Sequence, residues 1–248
     1  MLADRITVSV VIHGQGELVN ALLLDLAHHC HEQVEVILTL NLPENLRFDI
    51  EKFGYPVRLI QNPVPKGFGA NHNAAFRLAQ TQHFCILNPD IRLYDNPFPA
   101  LLNALCDPEN GVVAPLIRNP SGGTEDSARK FPTPLSILRK VVANTRAPDY
   151  AIRQHPLRVD WVAGMFLVLK ADTFRTVSGF DEGYFLYYED ADLCWRLRRQ
   201  GQGALLVPAA TAVHDARRQS HRNLRYLMWH VASMWRFFEK RAREIFRL

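Results

Sequence analysis

The hydrophobic residues of this chain alternate between short β-branched runs and stretches with helical spacing, and this rhythm restricts the fold more than any other feature. The β-branched runs predict strands at residues 6–12, 34–40, 57–61, 84–87, 111–115, 162–169 and 204–207. The stretches with helical spacing predict helices at residues 17–30, 70–81, 97–105, 171–177 and 189–200. Strands and helices that alternate in this way predict an α/β fold, with helices on both faces of a mostly parallel, Rossmann-like central sheet.

Residues 118–160 interrupt this rhythm. Five prolines lie in the stretch, and the pair Gly122-Gly123 lies near its start. Proline and glycine at this density predict broken regular structure. A long irregular segment inside a compact domain often serves function, so we expect this one to shape a binding site.

The composition indicates an ordinary globular chain. Its 248 residues are 48% hydrophobic and 22% charged, which excludes disordered, collagen-like and fibrous proteins. The N-terminus lacks a secretory pattern, and no stretch approaches the roughly 18 apolar residues that span a bilayer. The four cysteines are scattered without CxxC spacing, so we expect neither a zinc site nor disulfides, and a cytoplasmic location.

The net charge of +4 is unevenly distributed along the chain. Residues 217–248 carry nine Arg or Lys and two Glu, which leaves the rest of the chain with a net charge of −3. Because the basic residues are concentrated in this tail, we expect no nucleic-acid partner.

The tail itself predicts an amphipathic helix from Leu224 onward. Its apolar stripe consists of Leu227, Met228, Val231, Trp235 and Phe238. Its basic stripe consists of Arg236, Lys240, Arg243 and Arg247. Such a helix suits an anionic membrane surface, here the inner face of the cytoplasmic membrane. It can equally pack on its own domain or on a second copy in a homodimer, and the sequence leaves these alternatives open.

A first candidate site is the segment KGFGANHN, which begins at Lys66 and lies between a predicted strand and a predicted helix. Glycines such as Gly67 let the backbone approach a ligand, and free N–H groups at a helix N-terminus suit a phosphate or a polar base. The segment matches neither the P-loop nor the dinucleotide-binding pattern. An ordinary capped turn is the alternative.

A second candidate is Asn88-Pro89-Asp90, just after a predicted buried strand. A carboxylate in this position lies at the sheet edge where α/β proteins bind ligands, and it can coordinate Mg²⁺ or Mn²⁺. His214 follows the last predicted strand and could supply an imidazole ligand. A plain turn and an ordinary polar histidine are the alternatives.

A third candidate is the stretch 179–193, which is crowded with acidic and aromatic residues. Glu189 and Asp190 fall at a predicted helix N-terminus, where the helix dipole favours an ionised carboxylate. Such a carboxylate beside an aromatic wall can act as a general base toward a sugar hydroxyl. Trp161 could stack on a sugar and Gly164 could leave room for one, although core packing explains both nearly as well.

These segments together resemble glycosyltransferase family 2, inverting enzymes with a GT-A fold, and its rhamnosyltransferase-like branch that builds bacterial surface polysaccharides. The resemblance runs from residue 7 to about residue 220. It is carried by ITVSVVI, NPVPKGFGANHNAAFRLA, ILNPDIRL and VAGMFLVLKADTFRTVSGFDEGYFLYYEDADLCWRLRRQG. It implies a nucleotide-sugar half at about 1–115, an acceptor half at about 116–216 and a separate tail at 217–248.

The resemblance also implies roles for individual residues. Asp90 would bind a divalent cation, Mn²⁺ or Mg²⁺, that bridges the diphosphate of the donor, and His214 could complete the metal shell. Asp190 would deprotonate the hydroxyl of a saccharide or lipid-linked acceptor, which then attacks the anomeric carbon opposite the leaving nucleoside diphosphate. The residues expected to line the donor and acceptor sites are His13, Asn41, Lys66, Gly67, Asn71, Asn88, Trp161, Gly164 and Glu189.

Three departures from the family pattern concern the donor. Asn88 stands where many relatives have an acid, HGQGE from His13 replaces the usual nucleotide loop, and Asn41 stands where an Asp commonly contacts the base. The choice between dTDP-rhamnose and a UDP-sugar therefore stays open. A non-catalytic glycan-binding or scaffold subunit is one alternative. A sugar-phosphate nucleotidylyltransferase is another, but it would need a basic loop after the first strand.

Overall fold

The computed structural model describes residues 5–143, 148–215 and 224–245. The strands in these ranges are β1 Ile6–Ile12, β2 Val34–Leu40, β3 Val57–Gln61, β4 His83–Leu87, β5 Ile91–Arg92, β6 Asn110–Arg118, β7 Ala128–Arg129, β8 Leu157–Val159, β9 Trp161–Val162, β10 Phe166–Lys170 and β11 Gly203–His214. The helices are α1 Gly16–Cys30, α2 Phe68–Phe76, α3 Phe98–Ala104, α4 Pro134–Ala143, α5 Ala171–Thr176, α6 Glu189–Arg199 and α7 Leu224–Ile245, with a 3-10 helix at Glu51–Phe53.

The central sheet has the strand order β3-β2-β1-β4-β10-β6-β11-β5, and β8 also pairs with β11. Four pairings are parallel: β1 with β2 and β4, β2 with β3, and β6 with β11. Strand β10 runs antiparallel to β4 and β6, and β5 and β8 run antiparallel to β11. The prediction of a mostly parallel sheet is thus confirmed, with β10 reversed near its middle and the two short strands reversed beside β11.

Helices cover both faces of the sheet, as predicted. Strand β1 shows why: Ile6, Val8, Val10 and Ile12 are buried on one face, while Thr7 and Ser9 are buried on the other. One apolar layer packs α1 and α3 against the first face. The second layer packs α2, α5, α6 and part of α7 against the opposite face. Because both faces are covered, the ligand-binding surface has to lie at an edge of the sheet.

The segment 118–160 is more regular than predicted. It contains β7, α4 and β8. The prolines that suggested irregularity do not prevent this, because Pro134 is the first residue of α4, where a missing N–H costs nothing. Strand β7 forms because β9 pairs with it, a partnership outside the reach of local sequence patterns.

Three predicted elements have different bounds in the structure. The strand expected at 162–169 is divided into β9 and β10, because these two strands belong to different sheets. Helix α2 ends well before residue 81, where the Thr81 hydroxyl instead bonds the start of β4 through the His83 carbonyl. Strand β11 continues far beyond residue 207, with an irregularity between Val207 and Thr211 that accommodates Pro208.

Helix α7 packs on the same chain, through the side that carries its basic stripe. Phe237 is fully buried, and the Ser233 hydroxyl donates to the Leu186 carbonyl at 2.8 Å. The basic stripe forms ion pairs within the chain: Arg236 with Asp181, and Lys240 with Asp181 and Asp192.

Of the alternatives that the sequence left open, these ion pairs support packing on the chain's own domain, and they leave Arg236 and Lys240 paired within the chain. Asp192 also pairs with Arg196. Arg247 lies outside the described residues. The side chains exposed on the outer face are Leu224, Leu227, Met228, Val231 and Trp235. Within the described ranges, no helix has the length and hydropathy needed to cross a bilayer.

Candidate active site

Asp90 and His214 lie side by side at one edge of the sheet. Asp90 is in the turn between β4 and β5, and β5 pairs antiparallel with the end of β11, with Ile91 opposite His214. The Asp90 carbonyl also accepts a hydrogen bond from the Asp215 N–H at 2.9 Å. This pairing brings the His214 Nε2 to 3.2 Å from the Asp90 Oδ2, across 124 positions of sequence.

A second carboxylate contacts the same imidazole. The Oε2 of Glu125 lies 2.7 Å from the Nδ1 of His214. Burial alone would lower the pKa of His214, but the hydrogen bonds and charges of Asp90 and Glu125 raise it to about 9. Glu125 is absent from the residues predicted from sequence. Its location in the proline- and glycine-rich segment, expected to shape a site, was the only sequence signal for it.

The residues around Asp90 suit a divalent cation. The Oδ1 of Asp90 is buried and has no hydrogen-bond partner, which is costly unless a ligand binds there. An aspartate oxygen and an imidazole nitrogen are both ligands that Mn²⁺ accepts. In the described part of the chain, no group of three or more His, Cys, Asp or Glu side chains forms a complete metal site. A cation here would therefore need oxygen atoms from a bound substrate.

Asp190 lies in the first turn of α6, as the sequence predicts. Its Oδ2 accepts the Gly164 N–H at 2.9 Å, and its Oδ1 accepts the Ala191 N–H at 2.8 Å. Two consecutive residues with left-handed backbone precede the helix, Tyr187 at φ +73° and Tyr188 at φ +68°. Such conformations are unfavourable for residues with side chains and cluster at functional sites. Asp190 is half-buried, so a ligand can reach it.

Glu189 and Asp190 form an unequal carboxylate pair. Glu189 is buried, its Oε2 has no hydrogen-bond partner, and burial and the charge of Asp190 raise its pKa well above the usual range. Burial also raises the pKa of Asp190, but the two N–H groups and the Arg129 guanidinium oppose that rise. Asp190 is therefore the more readily ionised member of the pair.

The turn at residues 163–165 connects the two halves of the site. The Gly164 N–H donates to Asp190, while the carbonyl of the next residue, Met165, accepts the Asn88 N–H at 2.9 Å. Asn88 begins the turn that carries Asp90. Asp90, predicted to bind a cation, and Asp190, predicted to act as a base, are thus both connected to one short piece of backbone.

Gly164 borders the Asp190 carboxylate, and Trp161 lies three residues before Gly164 in the chain. A Cβ at Gly164 would lie 3.2 Å from the Phe68 ring and 3.6 Å from the Asp190 Oδ2, so a side chain there would crowd this carboxylate. The Trp161 indole N–H donates to the Lys130 carbonyl at 3.0 Å. Arg129 lies over the Trp161 ring, at 5.3 Å from its centre, and the pairing of β7 with β9 places these two residues opposite each other.

Three buried asparagines form a network on the side predicted to bind the nucleotide. Asn62 donates to the Oδ1 of Asn41 at 2.9 Å and to the Oδ1 of Asn71 at 2.6 Å. Asn41 in turn accepts the Lys66 N–H at 2.8 Å and donates to the Lys66 carbonyl at 2.9 Å. Asn41 and Asn71 thus hold the backbone of the Lys66 loop, and the Asn41 Nδ2 also lies 3.4 Å from the Nδ1 of the exposed His13.

The sequence analysis missed Asn62, the centre of this network. It directly follows β3, so the end of a parallel strand was the available signal. Because β1 to β4 are parallel, their carboxyl ends place this network and the Asp90 turn at the same edge of the sheet.

The N-terminus of α2 is less open than the sequence suggests. The Phe68 N–H donates to the Phe185 carbonyl at 2.9 Å, so this group is not free for a phosphate. A Cβ at Gly67 would lie 2.8 Å from the Phe185 carbonyl oxygen, and one at Gly69 would lie 2.6 Å from the Phe180 Cβ. Close packing against residues 180–185 accounts for both glycines without a ligand.

Comparisons with known proteins identify the family of this chain and its fold. The sequence model described as "Glycosyl transferase family 2" matches residues 7–165. "Rhamnosyltransferase WbbL" of Escherichia coli is 29% identical over 94% of this chain and 92% of its own length. An "N-acetylglucosaminyl-diphospho-decaprenol L-rhamnosyltransferase" of Mycobacterium tuberculosis is 29% identical over 86% of this chain and 76% of its own length.

Two solved structures share the fold at 16% identity. GalNAc-T7 "with UDP, GalNAc and Mn2+" superposes with a TM-score of 0.68 over 88% of this chain, which spans 44% of that structure. The mannosyltransferase PcManGT from Pyrobaculum calidifontis, "in complex with GDP-Man and Mn2+", superposes with a TM-score of 0.60 over 88% of this chain and 58% of its own.

Proposed function

Because this chain belongs to glycosyl transferase family 2 and has the GT-A fold, we propose that it transfers a sugar from a nucleotide sugar to an acceptor hydroxyl, with inversion at the anomeric carbon. The observation that carries this proposal is the convergence of Asp90 and Asp190 on the turn at 163–165. This convergence supports a cation-binding carboxylate and a base that act on the same substrate. A pure binding or scaffold subunit would need neither.

Asp190 is the general base of the proposed reaction. Its carboxylate takes the proton of the acceptor hydroxyl as that oxygen bonds to the anomeric carbon and the bond to the nucleoside diphosphate breaks. The N–H groups of Gly164 and Ala191 fix the orientation of the carboxylate. Positioning and a preorganised charge supply most of the rate in such a mechanism.

Asp90 and His214 are the residues that would hold Mn²⁺ or Mg²⁺. When bound, the ion offsets the negative charge that develops on the leaving diphosphate. The unpartnered Oδ1 of Asp90 supports this assignment. Mn²⁺ in the two structural neighbours is consistent with it.

We further propose dTDP-rhamnose as the donor, with a UDP-sugar as the alternative. The two rhamnosyltransferases among the relatives support rhamnose. The name of the mycobacterial relative includes a lipid diphosphate, which supports a lipid-linked acceptor over a free saccharide. On this proposal the enzyme contributes to the synthesis of a bacterial surface polysaccharide.

A lipid-linked acceptor calls for contact with the inner face of the cytoplasmic membrane, which we assign to the outer face of α7. Trp235 is 71% exposed there, and Met228 is 67% exposed. The stretch 217–222, which has three Arg and no acid, adds basic residues beside this helix in the sequence. Apolar and cationic groups together suit an anionic lipid surface.

Vesicle sedimentation tests this membrane assignment. The full chain should bind vesicles that contain phosphatidylglycerol, and a Met228→Ser, Trp235→Ser double variant should bind at least about tenfold more weakly. The control Tyr94→Ser, on another exposed aromatic, should bind like the parent. A parent chain that ignores vesicles but forms a dimer lost in the double variant would assign this face to a second copy.

Substitution of the base tests the proposed reaction. Asp190→Asn should lower sugar transfer at least about 10³-fold, since the amide cannot accept the proton, yet leave Mn²⁺-dependent binding of dTDP or UDP largely intact. Asp172→Asn, at an exposed carboxylate, is the matched control and should transfer normally. Unchanged turnover in Asp190→Asn would refute the base. Calorimetry that shows no metal-linked nucleotide binding in the parent would favour a scaffold.

A further inference from the structure

We propose that Glu125 is a positioning residue of the cation site, which acts by holding the imidazole of His214. This inference rests on the proposed function, because it concerns how the chain prepares a ligand for the ion. Glu125 was not predicted from the sequence, and the reaction described above assigns it no role.

The geometry fixes the imidazole from two sides. Glu125 engages Nδ1 at 2.7 Å, which leaves Nε2 directed at Asp90, 3.2 Å away. The side chain of His214 is 14% exposed, so the ring is enclosed as well as bonded. A flipped or rotated ring would lose the shorter of the two contacts.

The backbone around Glu125 is itself held by the central sheet. Its N–H donates to the Ile117 carbonyl at the end of β6 at 2.9 Å, and a bridge pairs Arg118 with Thr124. Strand β6 lies beside β11, with Ile117 opposite Ala212. Glu125 lies outside a strand but is bonded to the end of β6, and His214 ends the neighbouring β11, so two adjacent strands bring the two side chains together.

The chemistry of a histidine ligand explains the need for this carboxylate. An imidazole that binds a cation through Nε2 must carry its proton on Nδ1. A carboxylate that accepts this N–H stabilises that tautomer and makes Nε2 a stronger ligand for the cation. Loss of such an outer partner typically weakens metal binding about 10- to 100-fold.

The test is Mn²⁺ affinity, measured on the full chain by the EPR signal of free Mn²⁺ in the presence of dTDP or UDP. Glu125→Ala should weaken Mn²⁺ binding about 10- to 100-fold. Glu125→Gln should weaken Mn²⁺ binding less, because its amide oxygen can still accept the Nδ1–H of His214. Glu32→Gln, at a side chain that is 87% exposed, is the control and should match the parent. Parent-like affinity in Glu125→Ala would overturn the proposal.

A double-mutant cycle separates positioning from direct contact with the ion. If Glu125 acts through the imidazole, Glu125→Ala should cause no further loss of Mn²⁺ affinity in a His214→Ala background. Additive losses would overturn the positioning role, since Glu125 would then contribute on its own. Nucleotide binding without metal and the melting temperature report folding, and both should stay near the parent values. A parent chain that takes up no Mn²⁺ with either nucleotide would overturn the cation site itself.

Discussion

Asn73 holds the backbone of Phe180 by two hydrogen bonds. Its Nδ2 donates to the Phe180 carbonyl and its Oδ1 accepts the Phe180 N–H, each at 2.9 Å, across 107 positions of sequence. Asn73 lies on α2, which follows the Lys66 loop, and Phe180 begins the segment that leads to Asp190. One buried amide thus joins the nucleotide side of the site to the acceptor side.

Asn73→Ala should therefore lower the free energy of unfolding by about 2–4 kcal/mol, because it leaves two buried backbone groups without partners. Chemical denaturation measures this loss. Asn103→Ala, on the exposed surface of α3, should change stability by no more than about 0.5 kcal/mol. Equal losses of stability in the two variants would show that the hydrogen bonds of Asn73 do not hold the two sides together.

Gly67→Ala should destabilise the fold by about 1–3 kcal/mol and weaken nucleotide binding, because the added methyl group would meet the Phe185 backbone at 2.8 Å. Either the Lys66 loop or residues 180–185 must then move. Gly16→Ala is the matched control, since its nearest neighbour would lie 3.5 Å away and alanine suits the start of a helix. Thermal unfolding and nucleotide titration of both variants give the comparison.

Lys240→Ala should lower the free energy of unfolding by about 2–3 kcal/mol. Lys240 pairs at 2.6 Å with Asp192, a carboxylate that is 1% exposed and that would keep its ion pair with Arg196. Arg243→Ala removes a neighbouring exposed ion pair of the same helix and should cost less than about 0.5 kcal/mol. If both variants have the same free energy of unfolding, the ion pair of Lys240 with Asp192 does not hold α7 on the domain.

Arg129→Gln should shift the acid limb of the kcat/KM profile to higher pH. The guanidinium lowers the pKa of Asp190, so its removal lets that pKa rise further above the usual range. Because only the ionised base accepts a proton, activity should then fall at a higher pH as the solution is acidified. Arg129→Lys retains the charge and should keep the parent profile. An unshifted acid limb in Arg129→Gln would show that Arg129 does not set the pKa of Asp190.

The sequence predicts the first three strands to the residue and the later strands less well. The strands expected at 6–12, 34–40 and 57–61 coincide with β1, β2 and β3, and for β1 and β2 the reason is that buried parallel strands give long β-branched runs. Strands β7 and β9 are two residues each and form only because they pair with one another. Such partnerships leave no periodic signal.

The same limit applies to the candidate site. Asp90, Asp190 and His214 stand out because their residue types and neighbours match a family pattern. Glu125 and Asn62 do not, since they act through contacts across 89 and 21 positions of sequence. The tail shows the converse: helical periodicity identified its two stripes, but the buried carboxylate that attracts Lys240 is visible only in three dimensions.

The turn at residues 163–165 has a consequence for how relatives of this enzyme can diverge. One peptide unit separates the hydrogen bond to Asp190 from the hydrogen bond to the Asp90 turn, so the interval between these two contacts is set by covalent geometry. Segments that border the cleft can be lengthened or exchanged to admit a new sugar while this interval stays constant. Insertion of a single residue within the turn would alter it at once, whatever substrate the surroundings accept.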